Sequence, residues 1–168
     1  EQIALLEEKQ DITYHEKQKK AIRNAVCFGV SIVTGGPGTG KTTVIKAILD
    51  IFDIIGISYA LAAPTGRAAK RMSEASGREA KTIHRLLEMT YSEEAKPVFS
   101  KNADDPLGVK AVVIDEMSMV DTLLMEALLR SLKSETILIL IGDVDQLPPV
   151  GPGNVLCDMI QSDEFPTP

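Results

Sequence analysis

The sequence has no tryptophan, and aromatic residues fill only 4% of its 168 positions. Any core it builds must be aliphatic, and a hydrophobic content of 44% in a chain of this length is enough for one domain of ordinary size. Cysteine is nearly absent. Cys27 and Cys157 lie in apolar helical surroundings without metal-ligand spacing, and they read as reduced core residues of a cytoplasmic protein. No apolar run approaches the roughly 20 residues that a membrane span requires, so no membrane partner is expected. No signal peptide, fixed-period repeat or low-complexity segment is visible. The first residue is Glu1 rather than Met, which reads as a fragment or a processed product.

Positive charge is also in deficit. The net charge of −6, taken alone, argues against a nucleic-acid partner. The distribution points the other way. Between Gly66 and Arg85 lie six basic residues (Arg67, Lys70, Arg71, Arg78, Lys81, Arg85) and two acidic ones (Glu74, Glu79). A local basic patch on an acidic domain can hold a phosphate backbone, although a solvated helix face has the same composition.

What the chain does have is Gly35-Gly36-Pro37-Gly38-Thr39-Gly40-Lys41-Thr42, which fits the phosphate-binding pattern G-x-x-x-x-G-K-[ST]. Ser31 to Thr34 before it read as a short buried strand, and Thr43 to Leu49 after it have apolar residues at helical spacing. Strand, glycine loop and helix N-terminus make an anion site, because backbone N–H groups turn inward and the helix dipole adds positive potential. Gly36, Pro37, Gly38, Thr39, Gly40, Lys41, Thr42 and Thr43 are the expected nucleotide contacts. Lys41 reaches toward the β- and γ-phosphates of ATP, and the Thr42 hydroxyl is a ligand for Mg²⁺.

Along the chain, residues 1–10 read as a linker or the end of a preceding helix, with Ile3, Leu5 and Leu6 as its apolar side. Thr13 and Glu16 have capping-box spacing for a helix reaching about Phe28. Strands are expected at Ser58–Ala62, Val109–Ile114 and Ile137–Ile141, and helices at Arg67–Ser76, Thr82–Leu87, from Asp121, and near Asn154–Ile160. Arg67, Lys70 and Arg71 share one face of their helix, opposite Ala68, Met72 and Ala75. The polar stretch from Glu88 to Gly108 is long for a loop, so a small hairpin or a mobile excursion is expected. Alternating strands and helices imply an α/β fold with a parallel sheet covered on both faces.

An apolar strand ending in Asp115-Glu116 is the expected partner of a phosphate loop. Asp115 would hold Mg²⁺ through its water shell, and Glu116 would orient or deprotonate the attacking water. Gln146 follows the next strand at the carboxyl edge of the sheet, where ligands bind in open α/β folds. A neutral amide there can sense the γ-phosphate, with Asp143 and Asp145 bracing its loop. Gln18, upstream, has a donor and an acceptor that suit the N6 and N7 edge of adenine, although by itself such a glutamine is more often a surface residue.

The set resembles the RecD/TraA-type helicases of superfamily 1, in the manner of an exodeoxyribonuclease V α-subunit. The stretches that carry the resemblance are Thr34–Thr42, Ala63–Arg71, Thr82–Leu86, Ile114–Ser118 and Gly142–Gly153. They look like motifs I, Ia, a further DNA-contact element, II and III in that family's order, with Gln18 at its Q-motif position. The resemblance implies a three-layer RecA-like ATPase domain over residues 11–162 with a mostly parallel central sheet. It implies ATP hydrolysis with Mg²⁺ and 5′→3′ translocation on single-stranded DNA in recombination and repair. It also implies that Pro64, Thr65, Arg67 and His84 lie near the strand.

The pattern stops soon after motif III. Motifs IV to VI, including the arginine of motif VI that completes the ATP site, belong in that family to a second RecA-like domain. Residues 163–168 therefore read as the start of the connection to it, and the chain as the first motor domain of a longer helicase. Whether that parent works alone or with other subunits of a nuclease–helicase complex is open. An AAA-type switch without helicase activity would share the loop and the Asp-Glu pair. The Gly-Asp-Val-Asp-Gln-Leu-Pro stretch and the basic helix after Pro64 speak against it. A nucleotide kinase would need an arginine-rich lid, and no arginine follows Arg130. A degenerate nucleotide-binding subunit is disfavoured by intact Lys41, Thr42, Asp115 and Glu116.

Overall fold

The computed structural model describes residues 2 to 167. Glu1 and Pro168, assigned above to the linker and the connection, lie outside the described residues. The chain runs α1 (Gln2–Gln10), α2 (Glu16–Cys27), β1 (Val30–Thr34), α3 (Lys41–Ile55), β2 (Tyr59–Ala63), α4 (Gly66–Ser76), β3 (Ala80–Thr82) and α5 (Ile83–Leu86). It continues with β4 (Met89–Tyr91), β5 (Pro97–Phe99), β6 (Ala111–Ile114), a 3-10 turn (Met117–Met119), α6 (Thr122–Arg130), β7 (Ile137–Gly142) and α7 (Val155–Gln161).

Five strands form a parallel sheet in the order β1-β7-β6-β2-β3. Its strands alternate between two apolar layers. On β7, Ile139 and Ile141 join Val33, Leu61 and Val113 under α1, α2 and α3. Leu138 and Leu140 join Ile32, Val112 and Ile114 under α5, α6 and α7. Burial on both faces is why these strands read as continuous apolar runs. Phe52 of α3 is fully buried and lies 6.1 Å, ring to ring, from Tyr59. The architecture is the expected three-layer α/β, and every loop that carries a chemical motif leaves the carboxyl end of a strand.

Local details depart from the sequence reading. Helix α2 starts at Glu16, with His15 at its N-cap, and the His15 N–H donates to the side-chain carbonyl of Gln18 at 2.9 Å. The expected Thr13–Glu16 box does not form. Glu7 of α1 accepts from the Tyr14 N–H at 2.8 Å and fixes Tyr14 ahead of the helix. On α1, Leu6 is buried and Ile3 packs on the core, but Leu5 is 54% exposed. The cysteines are free but not core residues: Cys27 is exposed and Cys157 is half-buried. Ala21, Ile22 and Ala25 set the buried face of α2, and Cys27 falls off it. Strand β3 was not expected. The 88–108 excursion contains an antiparallel hairpin, β4 with β5.

Arg78 also leaves the proposed basic surface. Its Nη2 contacts Asp50 at 2.5 Å and Asp53 at 2.7 Å on α3, and its Nη1 donates to the Ser76 carbonyl at 3.0 Å. It pins the C-terminal end of α4 to α3. At the other margin of the sheet, the Ile32 N–H donates to the Pro166 carbonyl at 3.1 Å, which lays the tail along β1.

Candidate nucleotide and nucleic-acid sites

The phosphate loop closes on itself through Lys41. Its Nζ donates to the carbonyls of Gly35 and Gly36, the latter at 2.9 Å, and the Thr39 hydroxyl donates to the Gly36 carbonyl at 2.8 Å. Gly40 has φ +82°, and a Cβ there would collide with the Gln18 amide nitrogen. The left-handed backbone fixes glycine at 40, and its bare Cα lets the Gln18 amide lie against it. With its carbonyl occupied by His15, Gln18 turns its amide nitrogen toward the loop. Gln18, Thr34, Thr39, Lys41 and Val44 line a cavity of about 280 Å³.

On the other side of Lys41 a cavity of about 420 Å³ is bounded by Pro37 to Thr42, Asp115, Glu116, Gln146 and Arg71. Thus motifs that lie more than a hundred positions apart in sequence share one wall. Thr43 lines neither cavity; it is the third residue of α3 and is exposed. Asp115 is held by its N–H donating to the Ala62 carbonyl at 3.0 Å, and its carboxylate accepts from the Glu116 N–H at 2.8 Å. Burial is the main cause pushing the Asp115 carboxyl above its ordinary value. The Glu116 N–H opposes it, the Glu116 carboxylate adds to it, and Lys41 and Arg71 pull the other way. Glu116 itself has a left-handed backbone, φ 55° and ψ 40°, a sparsely used conformation for a residue with a Cβ.

Gln146 is exposed on the cavity wall, and the Ser118 hydroxyl donates to its carbonyl at 3.4 Å. Asp143 is buried and its carboxylate accepts from the Asp145 N–H at 3.0 Å, which is the expected brace. The loop then runs to α6. The Thr122 N–H donates to the Pro152 carbonyl at 2.9 Å, and Gly151 packs so closely on the Asp121 carboxylate that a Cβ would not fit.

A second groove, of about 480 Å³, holds Pro64, Thr65 and His84 together with Tyr91, Phe99, Met119 and Asp121. Thr65 caps α4 by accepting from the Ala68 N–H at 3.2 Å. The rings of His84 and Phe99 lie 6.4 Å apart, and Tyr91 is 68% exposed. Arg67 does not line the groove; it is exposed on the first turn of α4. Sequence reasoning missed Tyr91, Phe99, Met119, Ser118 and the place of Arg71. The first two had one signal, as aromatics in a chain with very few.

A family model described as an AAA domain matches residues 18–152. The chain belongs to this AAA domain family. Among its relatives is the ATP-dependent RecD2 DNA helicase of Deinococcus radiodurans, 38% identical over 88% of this chain and 20% of that protein. The RecBCD enzyme subunit RecD of Haemophilus influenzae is 36% identical over 92% of this chain and 27% of that protein. Among solved structures, Bacteroides sp Pif1 in complex with ADP-AlF4 superposes with a TM-score of 0.63 at 25% identity. That match covers 92% of this chain and 37% of the other. This AAA domain thus spans well under a third of the length of either curated relative. Its five-stranded parallel sheet and phosphate loop give it the RecA-like fold, and no described helix is long and apolar enough to cross a membrane.

Proposed function

We propose that this chain is the ATP-hydrolysing first motor domain, residues 11–162, of a DNA helicase. In this reading residues 1–10 and 163–168 connect it to its surroundings. The observation that carries the reading is the shared wall of the 420 Å³ cavity, where phosphate loop, Asp115, Glu116 and Gln146 converge. The nearby groove of Pro64, Thr65 and His84 is its companion. Relatives named as DNA helicases support it.

The donor set fits Mg²⁺: a hydroxyl on Thr42 and a carboxylate on Asp115, hard oxygen ligands beside a phosphate site. The burial that disfavours a bare Asp115 charge is relieved by a cation. Bound there, the ion would neutralise charge on the phosphates. Lys41 holds the β- and γ-phosphate oxygens in place of the Gly35 and Gly36 carbonyls. Glu116 orients the attacking water and takes its proton as the bond to the γ-phosphorus forms and ADP leaves. Gln146 reads the γ-phosphate. Through Ser118 and the Pro152–Thr122 hydrogen bond, its loop carries a shift to Asp121 in the second groove. The strand lies in that groove, where exposed Tyr91 offers a face for base stacking.

The decisive test uses the full-length protein with ATP and partial duplexes. Single-stranded DNA stimulates turnover, and a duplex with a 5′ overhang is unwound while one with a 3′ overhang is not. ATP turnover indifferent to DNA would favour the AAA-type switch. Unwinding from the 3′ overhang would overturn the polarity, which rests on family likeness.

Arg67→Ala in the full-length protein weakens single-stranded DNA binding and makes the dependence of log affinity on log salt shallower, by about 0.7 for one phosphate contact. Titrations at several salt concentrations measure it. An unchanged slope returns Arg67 to the solvated surface.

A further inference from the structure

We infer that Arg71 recognises the γ-phosphate and sets the preference of the nucleotide site for triphosphate over diphosphate. This deepens the function proposed above and rests on it. In the sequence Arg71 shares one helix face and the basic patch with Arg67 and Lys70. The structure separates them. Lys70 pairs loosely with Glu74, at 3.9 Å with both side chains exposed, and Arg67 stands on the open first turn of α4. Arg71 instead lines the wall that Thr42, Asp115 and Glu116 form, both in the 420 Å³ cavity and in a smaller one of about 140 Å³ beside it.

Helix geometry explains the split. At 3.6 residues per turn, Arg71 lies about 40° from Arg67 and about 40° from Ala75. It therefore sits on the seam between the polar face and the face packed on α3. Its guanidinium makes no ion pair within 4.0 Å among the described residues, whereas Arg78 and Arg130 are both paired. A planar cation with five donors, facing a cavity that already holds a lysine, a threonine hydroxyl and two carboxylates, suits a phosphoryl group. Lys41 holds the loop side of that cavity and Arg71 the carboxylate side. The terminal phosphate is the part of the nucleotide that lies farthest from the adenine side at Gln18. α4 therefore carries a DNA-side residue, Thr65, at one end and a nucleotide-side residue one and a half turns later.

The test is equilibrium binding of fluorescent ADP and of a fluorescent non-hydrolysable ATP analogue to the full-length protein, with Mg²⁺. Wild type, Arg71→Ala, Arg71→Lys and Arg67→Ala are compared. Arg71→Ala lowers affinity for the triphosphate about ten-fold, the scale of one hydrogen bond to a charged group, and leaves ADP affinity unchanged. Arg71→Lys recovers part of the loss. Arg67→Ala alters neither affinity, and Arg71→Ala leaves the salt dependence of single-stranded DNA binding as in wild type. Equal loss of ADP and triphosphate affinity would overturn the inference by assigning Arg71 a structural role. Intact triphosphate preference with a shallower salt slope would return Arg71 to the DNA face. A wild-type protein that binds neither nucleotide would sink the function itself, an outcome distinct from either.

Discussion

Lys41→Ala abolishes binding of a fluorescent ATP analogue by the full-length protein, while Glu116→Gln binds it with near wild-type affinity and does not turn ATP over. The two side chains share one cavity but face different stages of the reaction. Lys41 already bridges two loop carbonyls, so its ammonium is positioned where phosphate oxygens displace them. Removing it deletes a charge that acts in both ground and transition states, and takes a donor from the Gly35 and Gly36 carbonyls, of which Gly36 keeps the Thr39 hydroxyl. Glu116→Gln keeps size and hydrogen bonding but cannot accept a proton. General-base catalysis is worth about 10²–10⁴ in rate, and that loss falls on kcat rather than on binding. Its backbone N–H still donates to Asp115, so the proposed metal ligand keeps its position. Equal loss of binding in both variants would remove Glu116 from the chemistry.

If a second motor domain follows, as proposed above, the 168-residue chain alone binds Mg·ATP but hydrolyses it about 10³–10⁵-fold more slowly than a form extended through that domain, the range attributed to one supplied arginine in related enzymes. Both apolar layers and the whole phosphate loop lie within residues 2–167, so binding should survive, and nucleotide binding doubles as the check that the chain is folded. In the transition state, charge develops on the γ-phosphoryl oxygens. Arg71 is the one arginine lining the cavity among the described residues, and part of its charge already acts on the Asp115 carboxylate. On the proposed reading a second cation is supplied by a further motor domain; within this sequence no arginine follows Arg130. Unwinding also fails, since strand movement needs two domains that open and close around ATP. Steady-state ATPase of both forms, with and without single-stranded DNA, measures this. Brisk DNA-stimulated turnover by the short chain would mean that Arg71 suffices or that a second copy supplies the finger.

How much of this was legible in the sequence depended on distance along the chain. The parallel sheet could be read because Ile137 to Ile141 is a continuous apolar run and strands alternate with helices. The phosphate loop could be read because its chemistry lies within eight consecutive residues. Asp115, Glu116 and Gln146 could be placed because each ends or follows a strand, and strand ends meet at one edge. What failed was anything set by side-chain phase or long-range approach. A wheel drawn for α4 puts Arg71 with Arg67, since nothing in it says that α3 and β6 lie close enough to claim the seam. β3 is three half-buried residues at the sheet margin, too short for a periodic signal. Tyr91 and Phe99 reach His84 only because the hairpin folds back beside α5. The Thr13–Glu16 spacing is real as a pattern, but the Glu7–Tyr14 hydrogen bond ties the link before α2 back to α1, and His15 takes the N-cap.

The left-handed backbone at Glu116 has a historical consequence. For a residue with a Cβ that conformation costs about 1–2 kcal/mol, and glycine or asparagine would relieve part of it. Stability alone would therefore favour another residue at 116, and on the function proposed above selection for turnover would keep the carboxylate. On that proposal, a copy of the domain that no longer hydrolysed ATP would be free to replace Glu116 and would gain stability by doing so.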